Sequence, residues 1–307
     1  MAKILTVTNQ KGGVGKTTTC VNLAASLAAT KKRVMLIDLD PQGNATMGSG
    51  VDKHSLERSS YELLTGQATA AESRLTETPA GYHLIGANGD LTAAEVELLS
   101  LSRREFRLKM ALEEVADEYD FILLDNPPSL NLLTVNALAS SSGVIIPMQC
   151  EYYALEGISA LVGTINKINQ RLNPELQIEG ILRTMFDPRM SLTRDVSSHL
   201  VEYFGDKVYR TVIPRNVRLA EAPSHGLPAL LYDKSSRGAL AYLALAGELI
   251  RKSADAGKHP ADENSAHTGD ADDDVAQGPE AVAGDSNEAS KKSADVDADA
   301  EVVKEVN

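Results

Sequence analysis

Lys11, Lys16 and Thr17 stand in the run Thr8-Asn9-Gln10-Lys11-Gly12-Gly13-Val14-Gly15-Lys16-Thr17-Thr18-Thr19, whose residue types suit a polyphosphate. The glycines let backbone N–H groups turn inward onto phosphate oxygens, and a following helix would point its positive dipole end at them. Lys16 is spaced to reach β- and γ-phosphates, and the Thr17 hydroxyl to bind Mg²⁺. The pattern G-x-x-x-x-G-K-[ST] is met only when one residue is relaxed. What stands is K-G-G-x-G-K-T, with an additional lysine at Lys11. The preceding Ile4-Leu5-Thr6-Val7-Thr8 reads as a buried strand, and residues 17–29 as a helix. A glycine-rich turn without that context would mean little; with it, the run predicts nucleotide binding.

Two further runs end in carboxylates. Val34-Met35-Leu36-Ile37 leads into Asp38-Leu39-Asp40-Pro41, and Phe121-Ile122-Leu123-Leu124 into Asp125-Asn126-Pro127-Pro128. Each is a buried strand delivering aspartates at its C-terminal end, where open α/β sheets bind their ligands. Asp125 is placed to hold Mg²⁺ through water, since that ion uses few carboxylates and keeps much of its hydration shell. The two prolines after Asn126 stiffen the loop that follows.

Together these runs resemble the deviant Walker A ATPases, which include the ParA/Soj partition proteins, MinD and the nitrogenase iron protein. Gln149-Cys150-Glu151-Tyr152-Tyr153-Ala154-Leu155-Glu156-Gly157 and Ile213-Pro214-Arg215-Asn216-Val217-Arg218-Leu219-Ala220-Glu221-Ala222-Pro223-Ser224 are more similar to ParA/Soj than to MinD. The resemblance runs unbroken over roughly residues 3–252. It implies an ATPase using ATP and Mg²⁺, with Lys11, Gly12, Gly13, Val14, Gly15, Lys16, Thr17 and Thr18 around the nucleotide. Lys11 is then expected to reach across a homodimer to the other subunit's phosphates, so that ATP joins two subunits and hydrolysis releases them. Asp40 would position or activate the attacking water, which makes Lys11, Lys16 and Asp40 the catalytic set. Asp38 would join Thr17 and Asp125 around the magnesium. Pro214 and Asn216, with Met185, would border the adenine. The family often has a small residue such as Cys or Ala where this chain has Asn126, a departure bearing on the switch loop or the hydrolysis rate.

The elements that must position these residues are legible as alternating apolar runs and helical patterns. Strands are expected near 3–8, 33–38, 120–125, 143–148 and 178–185, with one more ending at Ile213 by the resemblance. Helices are expected near 16–29, 103–117, 155–171, 191–203 and 236–252. The alternation predicts an α/β, doubly wound, mostly parallel sheet flanked by helices, the P-loop NTPase fold. No apolar stretch approaches the roughly 18 residues of a spanning helix, and the first strand begins too early for a signal peptide. A cytoplasmic protein is expected.

Of the net charge of −13, residues 254–307 carry −11, from fifteen acidic and four basic side chains. That segment has no aromatic residue and too little apolar surface to offset its ordering entropy. It is expected to be a disordered acidic tail on an ATPase domain spanning 1–253. Without it the domain is near neutral, at −2, and has room for a local basic patch. With the phosphate loop starting at Lys11 there is no space for an N-terminal helix-turn-helix. The chain resembles the short ParA type, which binds double-stranded DNA without sequence preference and is released by a ParB-like centromere-binding partner, on the nucleoid. Arg183, Arg189, Arg194, Lys207, Arg210, Lys234, Arg237, Arg251 and Lys252 are candidate DNA contacts, and Arg215 and Arg218 are favoured. Cys20 and Cys150 have neither disulfide nor zinc spacing, and no metal beyond Mg²⁺ is implied. Two alternatives stand beside the partition reading. A MinD-like membrane ATPase would need a basic amphipathic C-terminal helix, which the acidic tail does not offer. A nucleotide-gated binder with negligible turnover is compatible with Asn126.

Overall fold

Apolar runs of three to ten residues, rich in Ile, Leu and Val, form seven strands. They tolerate apolar side chains on both sides because both faces of the sheet are covered. The strands are β1 (Lys3–Val7), β2 (Val34–Asp38), β3 (His83–Ile85), β4 (Phe121–Asp125), β5 (Gly143–Gln149), β6 (Gln177–Phe186) and β7 (Val208–Pro214). The helices are α1 (Lys16–Ala29), α2 (Asn44–Gly48), α3 (Ser60–Thr65), α4 (Ala70–Ser73), α5 (Leu91–Leu98), α6 (Arg107–Glu113), α7 (Leu132–Ser140), α8 (Ala154–Arg171), α9 (Ser191–Phe204), α10 (Val217–Glu221), α11 (Ala229–Tyr232) and α12 (Arg237–Ala256). This computed structural model describes residues 2–152 and 154–256. The sheet lies in the unit Met1–Lys252.

The strand order is β3-β2-β4-β1-β5-β6-β7, with every pairing parallel. β4 inserts between β1 and β2, while β5 to β7 extend the other edge. The loop after β1 therefore opens where the winding reverses, the crevice that takes ligands in such sheets. Register fixes the chemistry there: Asp125 on β4 pairs with Val7 on β1 and with Asp38 on β2.

Alternation along the strands splits the core between two faces. Leu5, Val7, Leu36 and Leu123 pack with Leu23 and Leu27 of α1 and with Tyr242, Leu245 and Leu249 of α12. Met35, Ile37, Ile122 and Leu124 face the other way, onto Leu63, Leu91, Leu108 and Leu133 of the helices between β2 and β5. Val144, Ile146 and Ile181 meet α8 and α9 through Ile158, Leu161, Val196 and Leu200. Truncating one such leucine to alanine costs about 2–5 kcal/mol. The open edge at β7 is blunted by Glu248 of α12, whose carboxylate accepts from the N–H groups of Arg210 and Thr211 at 2.8 and 3.0 Å; a covered edge does not template pairing with other chains.

The doubly wound parallel sheet is as expected, with four local differences. The helix expected over 103–117 is broken into the 3₁₀ turns Arg104–Phe106 and Ala116–Glu118 around α6, and Arg103 before it takes a left-handed φ of 52°. β3 is too short to show periodicity. The buried α7 has little amphipathic contrast, and its helical period was not legible. The last helix runs to Ala256, past the expected end at 252. The remainder of the acidic segment lies outside the described residues. Among the described residues, no helix is long and apolar enough to cross a membrane.

Candidate nucleotide site

The loop from β1 to α1 turns on two left-handed glycines, Gly13 at φ 73° and Gly15 at φ 91°. Gly15 is the N-cap of α1 and provides no side-chain cap. The N–H groups of the first turn are thus left for an anion. The loop is held from behind by side chains of distant strands. Asn9 donates to the Pro147 carbonyl at 2.9 Å and accepts from the Lys11 N–H at 3.0 Å. Gln149 donates to the Gly13 carbonyl at 3.3 Å, and the Thr184 hydroxyl to the Val14 carbonyl at 2.8 Å.

Lys16 is buried, and its ammonium lies 3.4 Å from the Lys11 carbonyl. Burial pushes its pKa down, opposed by the charges of Asp125 and Asp40. A desolvated ammonium flanked by two carboxylates has spare capacity for an incoming phosphate. Lys11 points elsewhere: its ammonium makes a 2.6 Å ion pair with Glu151, both side chains being about half exposed (49% and 51%).

Asp38, Asp40 and Asp125 converge beneath the loop. Asp38 Oδ2 accepts from the Thr46 N–H and hydroxyl, both at 2.8 Å, and Oδ1 from the Asp40 N–H at 3.1 Å. Asp40 Oδ1 accepts from the Gln42 N–H at 2.9 Å. Asp125 is different. It is fully buried, and neither carboxylate oxygen has a well-formed hydrogen bond. Burial raises its pKa first and the Asp38 charge second, against weak help from the Thr17 hydroxyl and the Cys20 thiol. Burial likewise raises Asp38, against the bonds from Thr46 and Asp40. A buried carboxylate with no well-formed hydrogen bond, next to a threonine hydroxyl and a second carboxylate, is a donor set of hard oxygens suited to Mg²⁺. The residues fit that ion.

Phe186 of β6 pairs with Pro214 of β7, bringing Met185 and Pro214 to the C-terminal ends of adjacent strands. Met185 holds a left-handed φ of 50°. Asn216 caps α10, its Oδ1 accepting from the Leu219 N–H at 3.3 Å. Asn126 is buried, its amide donating to the Leu124 carbonyl at 3.2 Å and the Val7 carbonyl at 3.4 Å, while Oδ1 has no partner.

The basic candidates separate. Arg183 is a structural residue, contrary to the sequence expectation: it donates to the Ser197 hydroxyl at 2.8 Å and the Tyr209 carbonyl at 2.6 Å. Arg189 is paired with Asp187 at 2.6 Å, and Lys252 donates to the Asp206 carbonyl at 2.9 Å. Arg218 is half exposed and engaged by Glu221 at 2.7 Å and Asp233 at 3.4 Å. Arg215 is exposed and makes no ion pair among the described residues. Thr46 and Thr184 were not singled out from sequence, and Gln149 and Glu151 stood only in the family-like run 149–157, without roles of their own. Thr184 carried one local signal, its place directly before Met185.

Comparison with known proteins agrees with the fold. Residues 2–178 match the AAA domain family. The chain is 54% identical over 249 residues to the sporulation initiation inhibitor protein Soj of Bacillus subtilis, covering 81% of this chain and 98% of that protein. It is 47% identical over 256 residues to the chromosome partitioning protein ParA of Caulobacter vibrioides, covering 82% and 96%. Among solved structures, cobyrinic acid a,c-diamide synthase from Mycobacterium smegmatis with bound ADP and magnesium superposes with a TM-score of 0.74 at 37% identity, covering 85% of this chain and 98% of that one. The septum site-determining protein MinD of Pyrococcus horikoshii, complexed with Mg-ADP, shares the fold at a TM-score of 0.68 and 24% identity, over 84% and 100%.

Proposed function

The chain belongs to the Soj/ParA family of ATP-dependent chromosome-partitioning ATPases, and from that premise we propose how its site works. ATP is held by the loop Lys11 to Thr18, with Lys16 neutralising the β- and γ-phosphates. Met185, Pro214 and Asn216 border the adenine. Thr17 and Asp125, with Asp38 behind them, hold Mg²⁺; when bound, that ion offsets charge on the phosphate oxygens. Asp40 orients the attacking water, its carboxylate steadied by the Gln42 N–H. The observation that carries the reading is Asp125, fully buried and without a well-formed hydrogen bond, near Thr17 and Lys16, since such a carboxylate is costly to ionise unless a cation completes it.

The active state is a homodimer. A Cβ added at Gly12 would meet nothing within 4 Å, so this subunit's own packing does not require glycine there. An approaching second subunit gives the reason, and Lys11 leaves Glu151 for that subunit's phosphates. The ATP dimer binds double-stranded DNA without sequence preference through Arg215 and Arg218, on the nucleoid, and a ParB-like partner stimulates hydrolysis and release. The ATPase domain is 1–253, with 254–307 a separate acidic segment. Steady-state hydrolysis with and without Mg²⁺, DNA and the ParB-like protein tests this: activity should need Mg²⁺ and rise when both DNA and partner are present. Turnover indifferent to Mg²⁺ would refute the assignment of Asp125.

A further inference from the structure

We propose that Thr184 is a positioning residue for the phosphate loop: its hydroxyl fixes the Val14–Gly15 peptide so that the Gly15 N–H faces the nucleotide. The inference rests on the nucleotide reading above and adds to it a residue outside the loop. Thr184 lies near the C-terminal end of β6, 170 positions from Val14, yet donates to the Val14 carbonyl at 2.8 Å. The bond is shielded, Thr184 being 3% and Val14 1% exposed.

A trans peptide is planar, so its C=O and the following N–H point in opposite directions. Drawing the Val14 carbonyl toward β6 therefore turns the Gly15 N–H away from β6, toward the open side of the loop. Gly15, at φ 91°, is able to follow because it has no Cβ to oppose that conformation. The Thr184 methyl lies beneath, 3.8 Å from where a Gly15 Cβ would stand. Gln149 makes a longer second anchor on the Gly13 carbonyl. The residue after Thr184 is Met185, assigned above to the adenine. One strand end thus sets the loop with one side chain and borders the base with the next. Donors fixed before the ligand arrives cost less to order on binding.

The test uses the full chain with Thr184→Val, which keeps the shape and removes the donor, and Thr184→Ser, which keeps the donor. Binding of a fluorescent ADP and steady-state ATP hydrolysis are measured, with the thermal midpoint as a check on folding. Thr184→Val should weaken ADP and raise the KM for ATP by about tenfold, the equivalent of about 1.4 kcal/mol, while kcat stays within about twofold. Thr184→Ser should restore both to within about twofold of wild type. Equal affinity in Thr184→Val and wild type would overturn the positioning role, as would a Ser variant as weak as the Val variant, which would assign the effect to the methyl. If Thr184→Val does not fold, the Ser variant decides: near-wild-type affinity supports the hydroxyl, and a tenfold loss overturns it. A folded wild type that binds no ADP would instead overturn the nucleotide reading itself.

Discussion

Asp38 and Asp125 stand opposite each other in register at the C-terminal ends of β2 and β4, both fully buried, with the bonds from Thr46 and Asp40 all falling to Asp38. Sharing one dry site, they cannot both ionise cheaply. Burial lifts Asp38 to about 6, and burial with the Asp38 charge lifts Asp125 to about 8, against 3.8 for a free carboxyl. The folded chain therefore keeps protons that the unfolded chain has released. The stability this gives is complete below pH 4 and is lost as pH rises through 6 and 8.

For nucleotide-free protein the thermal midpoint should accordingly fall between pH 5 and 8. Asp125→Asn should flatten that fall and raise the midpoint at pH 8 by about 3 °C, roughly 1 kcal/mol for a domain of this size. Adding Mg²⁺ with ADP should flatten it in the wild type as well, by stabilising the ionised pair. Differential scanning calorimetry at constant ionic strength reads all three. A wild type whose pH dependence matches that of Asp125→Asn would contradict the coupled-pair account.

Lys16→Ala and Asp40→Ala should separate binding from chemistry. Lys16 is a buried cation that feels the charges of Asp125 and Asp40. Its loss should weaken ATP at least about a hundredfold, as expected for a desolvated charge pair losing one member, and should abolish ATP-dependent dimers in light scattering. Asp40→Ala should leave ATP affinity within about threefold and cut kcat by about a hundredfold, within the range for a lost general base. Loss of affinity in Asp40→Ala would make Asp40 part of the metal surroundings.

Gly12→Val tests the dimer without touching the fold. A Cβ added at this exposed position meets nothing within 4 Å in the single subunit, so the thermal midpoint should stay within about 2 °C of wild type, as for most changes away from packed sites. ATP should still bind, but to a monomer. The Lys11–Glu151 pair is no obstacle to dimer formation in the wild type, because a half-exposed pair contributes only about 0–1 kcal/mol. A Gly12→Val protein that still dimerises on ATP would remove the argument for close approach at this loop.

Local spacing made the phosphate loop, Asp38, Asp40 and Asp125 legible in the sequence, since a strand, a turn and a helix start are all written within a dozen residues. What holds them there was not. Thr184 reaches Val14 across 170 positions, Gln149 reaches Gly13 across 136, and Asn9 reaches Pro147 across 138. Such bonds exist only once β5 lies beside β1 and β6 beside β5. The same reason explains the arginines. Composition shows Arg183, Arg215 and Arg218 as equal charges, whereas packing commits Arg183 to Ser197 and Tyr209, shares Arg218 with two carboxylates and leaves Arg215 exposed.

That difference makes the two loop arginines unequal toward DNA. On the proposed DNA surface, Arg215 makes no ion pair among the described residues and gives up only its longer-range attraction to Asp187, whereas Arg218 must first surrender Glu221 and Asp233 or hold its phosphate in competition with them. In the ATP dimer the slope of log affinity against log salt falls by about 0.9 for each DNA phosphate left without its cation, and a substitution acts in both subunits together. Arg215→Ala should therefore flatten the slope by about 1.8 and weaken binding most at low salt. Arg218→Ala should have a smaller effect on both, and Glu221→Gln, which loosens the grip on Arg218, should tighten DNA modestly. Fluorescence anisotropy with a random duplex, titrated in salt with ATP present, reads the slopes, and light scattering checks that each variant still dimerises. If Arg218→Ala costs as much as Arg215→Ala, the intramolecular pairs are irrelevant to DNA. If neither variant changes the slope, the DNA surface lies on other basic residues.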